Sequence, residues 1–95
     1  MTHEQMLKLQ KIMNHYGIEN QLKKLMEEAR ELVEACENVK RDGGDLEGLV
    51  DEIADVEVML WQIKYAFSLF GQVADRKEYK INRQIGRMAD DGKAD

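Results

Sequence analysis

Apolar residues recur every three or four positions along nearly the whole chain, and the pattern breaks at Gly17, at Gly43-Gly44 and at Gly71. A spacing of three and four marks one face of an α-helix, whereas a half-buried strand would alternate apolar and polar residues. Glycine ends a helix at little cost because it lacks the Cβ that disfavours the left-handed conformation. Three breaks therefore predict four helices and an all-α fold.

The first helix is expected over residues 2–16, opened by Thr2 as N-cap and striped by Met6, Leu9, Ile12, Met13 and Tyr16. The second, over 18–40, has Leu22, Leu25, Met26, Ala29, Leu32 and Val33 close to a heptad seam, with Ile18, Cys36 and Val39 extending it. The third is expected to start after an Asp45 N-cap and run to about residue 70. Its core stripe is Leu49, Val50, Ile53, Val56, Leu60, Ile63 and Phe67. A second apolar face on this helix, Ala54, Val58, Trp61, Tyr65 and Leu69, needs cover that so short a chain draws from another subunit. The fourth helix, over 75–88, sets Ile81, Ile85 and Met88 against Arg76, Lys80, Arg83 and Arg87. One helical domain over 1–88 with a flexible polar tail over 89–95 follows.

The resulting architecture is a helical hairpin core with flanking N- and C-terminal helices, completed as a multi-helix bundle in a homo-oligomer. At 95 residues the chain has one modest core. Its formal net charge of -5 argues against a nucleic-acid polymer as partner, although five of its fourteen basic residues fall between Arg76 and Arg87. A single cysteine, Cys36, rules out an internal disulfide and suits the cytoplasm. No apolar run is long enough to span a bilayer, and the first residues lack the pattern of a signal peptide.

Charge becomes chemistry at two acidic pairs, Glu28 with Glu31 and Glu52 with Asp55, on either side of the Gly43-Gly44 turn. Residues three apart on a helix share a face, so each pair directs two carboxylates to one point. In an antiparallel hairpin the pairs lie roughly 16 Å before and roughly 11 Å after the turn, about one helical turn out of level. Such spacing arises readily in a chain with 19 acidic residues, and a solvated face partnered by Lys23, Lys24 and Arg30 is the plain alternative. Like charges repeated at a helix seam nevertheless call for a cation. An all-carboxylate set favours Mg²⁺, with Mn²⁺ as substitute, over zinc. Neither His3 nor His15 follows a glutamate at the spacing of a di-iron bundle.

At these residues the chain resembles the MazG-like family of all-α nucleoside triphosphate pyrophosphohydrolases. The family pattern, Glu-Glu-x-x-Glu, a spacer and Glu-x-x-Asp, reads here as Glu27-Glu28-Ala29-Arg30-Glu31 and Glu52-Ile53-Ala54-Asp55, separated by twenty residues. The resemblance covers about residues 17–70. It implies that Glu28, Glu31, Glu52 and Asp55 bind magnesium, with Glu27 as a further acid of the catalytic set. It also implies cleavage between the α and β phosphates, giving a nucleoside monophosphate and pyrophosphate. Homodimers or homotetramers are the assemblies it suggests.

Lys80, Arg83 and Arg87 match the family's basic helix loosely, and their spacing lets them face one polyphosphate together. Gln21, Lys24 and Met59 lie about one turn from the acidic pairs, where they would line a pocket for the rest of the nucleotide. Two alternatives stand beside this expectation. One is a noncatalytic helical oligomer that binds nucleotide or protein; the other is an enzyme like phosphoribosyl-ATP pyrophosphatase.

Overall fold

A computed structural model describes residues 1–44 and 46–93, without the side chains of Asp42 and Lys93. The described residues form four helices and no strand: α1 (His3–Tyr16), α2 (Ile18–Asp42), α3 (Leu46–Ala66) and α4 (Phe70–Lys93). The all-α expectation holds.

Local chemistry explains most of the boundaries. Thr2 and Gln5 form a reciprocal capping box, each side chain bonded to the other's backbone N–H, at 3.1 and 2.9 Å. Gly17, at φ 87°, turns the chain from α1 into α2. Gly43, at φ 70°, ends α2 in the left-handed conformation and donates its N–H to the Val39 carbonyl at 2.8 Å. The Asp45 cap lies outside the described residues.

Two boundaries differ from the sequence reading. The chain leaves α3 at residues 67–69, where Ser68 takes φ 57°, and Gly71 belongs to the first turn of α4. Packing decides this: Phe70 sets its ring 5.3 Å from that of Trp61, which anchors the start of α4 before Gly71 can act as a break. At the other end, α4 continues through residues 89–93, part of the segment expected as a flexible tail. No proline stops it, and Gly86 and Gly92 weaken a helix without ending it.

The apolar stripes also sort differently. The α2–α3 hairpin closes around Leu25, Glu28, Leu32 and Ala35 on one helix and Leu49, Glu52, Val56 and Met59 on the other, all buried or half-buried. Leu22, Met26, Ala29, Val33 and Cys36, which the sequence assigns to the same α2 stripe, are exposed. So are Val50, Ile53, Leu60 and Phe67 of the expected α3 core. Each helix carries two apolar stripes about one residue apart, and only one faces its partner helix.

Helix α1 packs on both α2 and α3 through Leu9 and Met13. Trp61 and Tyr65, expected to meet another subunit, stack on each other at 5.7 Å and are half-buried, with Trp61 lying against Phe70 of the same chain. Among the helices, α4 touches α3 alone. Beyond Val73 its described side chains are exposed.

Candidate metal centre

The hairpin brings the four predicted carboxylates together. One oxygen from each of Glu28, Glu31, Glu52 and Asp55 lies within 4.8 Å of the others. Gln21 stands level with Gln62 through a 2.8 Å hydrogen bond, and this register sets Glu28 near Asp55 and Glu31 near Glu52. The one-turn offset expected between the pairs is absorbed by the turn.

Burial makes the cluster more than a surface patch. Glu28 is only 6% exposed, and Glu52 is half-buried. The Oε2 atoms of both are buried without a hydrogen-bond partner. A charged oxygen withdrawn from water and left unpaired destabilises a fold unless a cation or proton reaches it. Lys24 supplies one positive charge, its Nζ 3.0 Å from Glu28 Oε1 and 3.9 Å from Glu27 Oε2. One ammonium does not balance four carboxylates.

Proton affinities record the imbalance. The hydrogen bond from Lys24 holds the Glu28 carboxyl below its usual value, against the opposing effect of burial. Glu31 moves the other way: it shares a hydrogen bond with Glu28, and the charges of Glu28 and Glu52 repel its ionised form. Lys24 is raised by its bond to Glu28. The repulsion that raises Glu31 is one that a divalent cation bound among these carboxylates would relieve.

The donor set fits a hard cation. Opposite oxygens stand about 4.2 Å apart across Mg²⁺ and about 4.6–5.2 Å apart across Ca²⁺. The observed spread requires the carboxylates to draw in by a few tenths of an ångström for the smaller ion. With four oxygen donors and no histidine or thiolate among them, the cluster suits Mg²⁺ or Mn²⁺ better than zinc.

Glu28 and Asp55 border a cleft of about 590 Å³ between α1, α2 and α3. Its volume falls in the range of small-molecule sites. Tyr16, Asn20, Gln21 and Lys24 stand on its walls, Met59 and Gln62 at its base, and Glu27 at its exposed rim. Glu31 and Glu52 open instead on a second hollow of about 380 Å³. Sequence reasoning found Gln21, Lys24 and Met59 but missed Gln62, which is 1% exposed. Its amide accepts from Gln21 and donates to the Val58 carbonyl at 3.3 Å. The available signal was an uncharged polar residue three positions after Met59, on the same helix face.

Lys80, Arg83 and Arg87 do not join this constellation within one chain. They lie on the exposed length of α4, with the Arg83 guanidinium 5.7 Å from the Tyr79 ring, and none lines the cleft. No helix among the described residues is long and apolar enough to cross a membrane. Comparison with protein-family models, with curated proteins and with solved structures finds no match.

Proposed function

We propose that this protein is a Mg²⁺-dependent nucleoside triphosphate pyrophosphohydrolase, cleaving between the α and β phosphates to release a nucleoside monophosphate and pyrophosphate. The observation that carries the reading is a cluster of four carboxylates, Glu28 buried, Glu52 half-buried and Glu31 and Asp55 exposed, with two unpartnered buried oxygens, at the edge of a cleft large enough for a nucleotide.

Glu28, Glu31, Glu52 and Asp55 would hold the ion, Mg²⁺ or Mn²⁺. When bound, it supplies charge neutralisation at the phosphates and a more acidic water. The chain's own groups do the rest. Lys24 fixes the Glu28 carboxylate and adds positive charge at the cleft wall. A carboxylate oxygen not engaged with the ion, or Glu27 at the rim, accepts the proton of the attacking water. Gln21, held by its bond to Gln62, and Met59 line the part of the cleft that would take the base.

Lys80, Arg83 and Arg87 act on the polyphosphate only where α4 of one copy reaches the cleft of another, so the reading includes self-association. It also places the protein in the cytoplasm, where exposed Cys36 stays reduced. The resemblance of the Glu27–Glu31 and Glu52–Asp55 motifs to the MazG-like family supports the same chemistry.

The test is pyrophosphate release from a panel of nucleoside triphosphates in Mg²⁺, with Glu52→Gln as control. Release by the wild type that the control lacks is expected; equal, low release from both removes the enzymatic reading.

A further inference from the structure

We propose that Gln62 is a positioning residue for base recognition: it locks the Gln21 amide with its oxygen as the free group, so that the cleft selects a base bearing an exocyclic amino group over its keto counterpart. The inference rests on the nucleotide reading of the cleft given above and adds the class of base to it.

A side-chain amide has an oxygen that only accepts and a nitrogen that only donates, the two nearly equal in size. A free glutamine can turn over and offer either one to a ligand. Here the backbone decides. The Val58 carbonyl is an acceptor, and Gln62 Nε2 donates to it at 3.3 Å. The same nitrogen lies 3.6 Å from Met59 Sδ, a second acceptor. Gln62 Oε1 is thereby turned toward α2, where it accepts from Gln21 Nε2 at 2.8 Å. The relay ends at Gln21 Oε1.

Reversal is costly at each step. Turning Gln21 alone sets two oxygens against each other at 2.8 Å, and turning both amides sets Gln62 Oε1 against the Val58 carbonyl. Gln62 is 1% exposed, so water does not replace a bond lost there.

The free oxygen is nevertheless open. Among the described residues, the buried side-chain oxygens sealed from solvent without a partner are those of Glu28 and Glu52. Gln21 Oε1 accepts no hydrogen bond within the chain yet is not among them, and the cleft is the cavity that Gln21 lines. One residue earlier the same rule operates: Asn20 Nδ2 donates to the Tyr16 carbonyl at 2.8 Å, and the Asn20 oxygen is left over. Both residues stand on the cleft wall.

Two amide oxygens call for N–H donors. Cytosine and adenine carry an amino group where uracil and hypoxanthine carry a carbonyl oxygen. The amino group completes the relay, whereas the carbonyl sets oxygen against oxygen and strands an acceptor. Lys24, on the same wall, is not free to compensate, because its ammonium is held by Glu28 at 3.0 Å and Glu27 at 3.9 Å.

The test is isothermal titration calorimetry of the full chain in Mg²⁺ with α,β-imido triphosphates, which resist cleavage between those phosphates. The cytidine compound is expected to bind at least about tenfold more tightly than the uridine one, and the adenosine compound likewise more tightly than the inosine one. Equal or reversed affinities, or no binding by any of the four, overturn the proposal. Base preference without pyrophosphate release from ordinary triphosphates would remove the hydrolase reading alone; release without preference would remove this inference alone. In Gln62→Leu the preference should fall to about twofold or less, and an undiminished preference overturns the role of Gln62. Gln21→Leu, which removes the reading oxygen itself, should level the pair in the same way; a preference that survives it overturns the proposal.

Discussion

On one broad face of the α2–α3 hairpin, carboxylates are drawn together and partly out of water; on the other, aliphatic side chains stand in it. The first face holds Glu28 at 6% exposure with an oxygen that nothing satisfies. The second leaves Val50 at 63%. Both arrangements are unfavourable for an isolated chain, for opposite reasons: buried charge wants a counter-ion, and exposed hydrocarbon wants to leave water. A cation resolves one without touching the other, and cover for the aliphatic side chains does the reverse. Between the two faces the core is small, with Leu9, Met13, Ala35 and Met59 as its buried hydrophobic residues.

The largest expected effect breaks the acidic face chemically. Glu52→Gln keeps the shape of the side chain and removes a charge from the metal centre. It should lower pyrophosphate release by at least about 100-fold, while the mass in solution by light scattering stays unchanged. A change of mass together with the loss of activity would show that the two faces are not separable. Next in size is the ion itself. At a Mg²⁺ concentration one hundred times its dissociation constant, the native state should gain about 2.7 kcal/mol, read as a rise in melting temperature that EDTA reverses. The gain should vanish in Glu52→Gln and persist in Val33→Glu, on the exposed stripe of α2.

The two faces were not equally legible in the sequence. The acidic quartet could be read because Glu28 with Glu31 and Glu52 with Asp55 obey a short-range rule, and a hairpin around Gly43-Gly44 does the rest. The apolar face could not, because Leu22, Met26 and Val33 lie only about 100° from the buried Leu25 and Leu32 on a helical wheel. Periodicity merges two such stripes into one, and only the packed partner divides them. The same limit explains Trp61 and Tyr65. Their need for cover was evident, but the cover from Phe70 depends on a turn at Ser68, which no glycine announces. Gln62 went unnoticed because nothing in a single helix reveals that Gln21, forty-one positions earlier, is its hydrogen-bond partner.

Gln62→Leu sharpens the contrast between a polar floor and an apolar seam at a smaller scale. Leucine fills similar space but leaves the Gln21 amide without its acceptor in a buried position. The expected cost is about 1–3 kcal/mol, measured by urea unfolding at fixed protein concentration. On the exposed stripe a further leucine would strand no buried partner. The cost of the same chemical change thus reports which face it strikes, and an unchanged unfolding midpoint would contradict the buried amide pair.

Glu31→Gln is the gentlest probe, and its sign runs against intuition. In the metal-free chain, Glu28 and Glu52 raise the proton affinity of Glu31 above its ordinary value of 4.5. The unfolded chain therefore releases that proton first as pH rises, and the native state is progressively penalised from about that pH up to the folded value. Removing the charge should raise the metal-free melting temperature at pH 7 and flatten its fall between mildly acid and neutral pH. Glu28 contributes in a separate window. Its lowered proton affinity gives stability that is present above 4.5 and lost only as pH falls through the folded value. In saturating Mg²⁺ the order should invert, with Glu31→Gln less stable than the wild type because a ligand is missing. A variant that melts lower than the wild type with and without the ion would mean that Glu31 is held by contacts other than the repulsion a cation relieves.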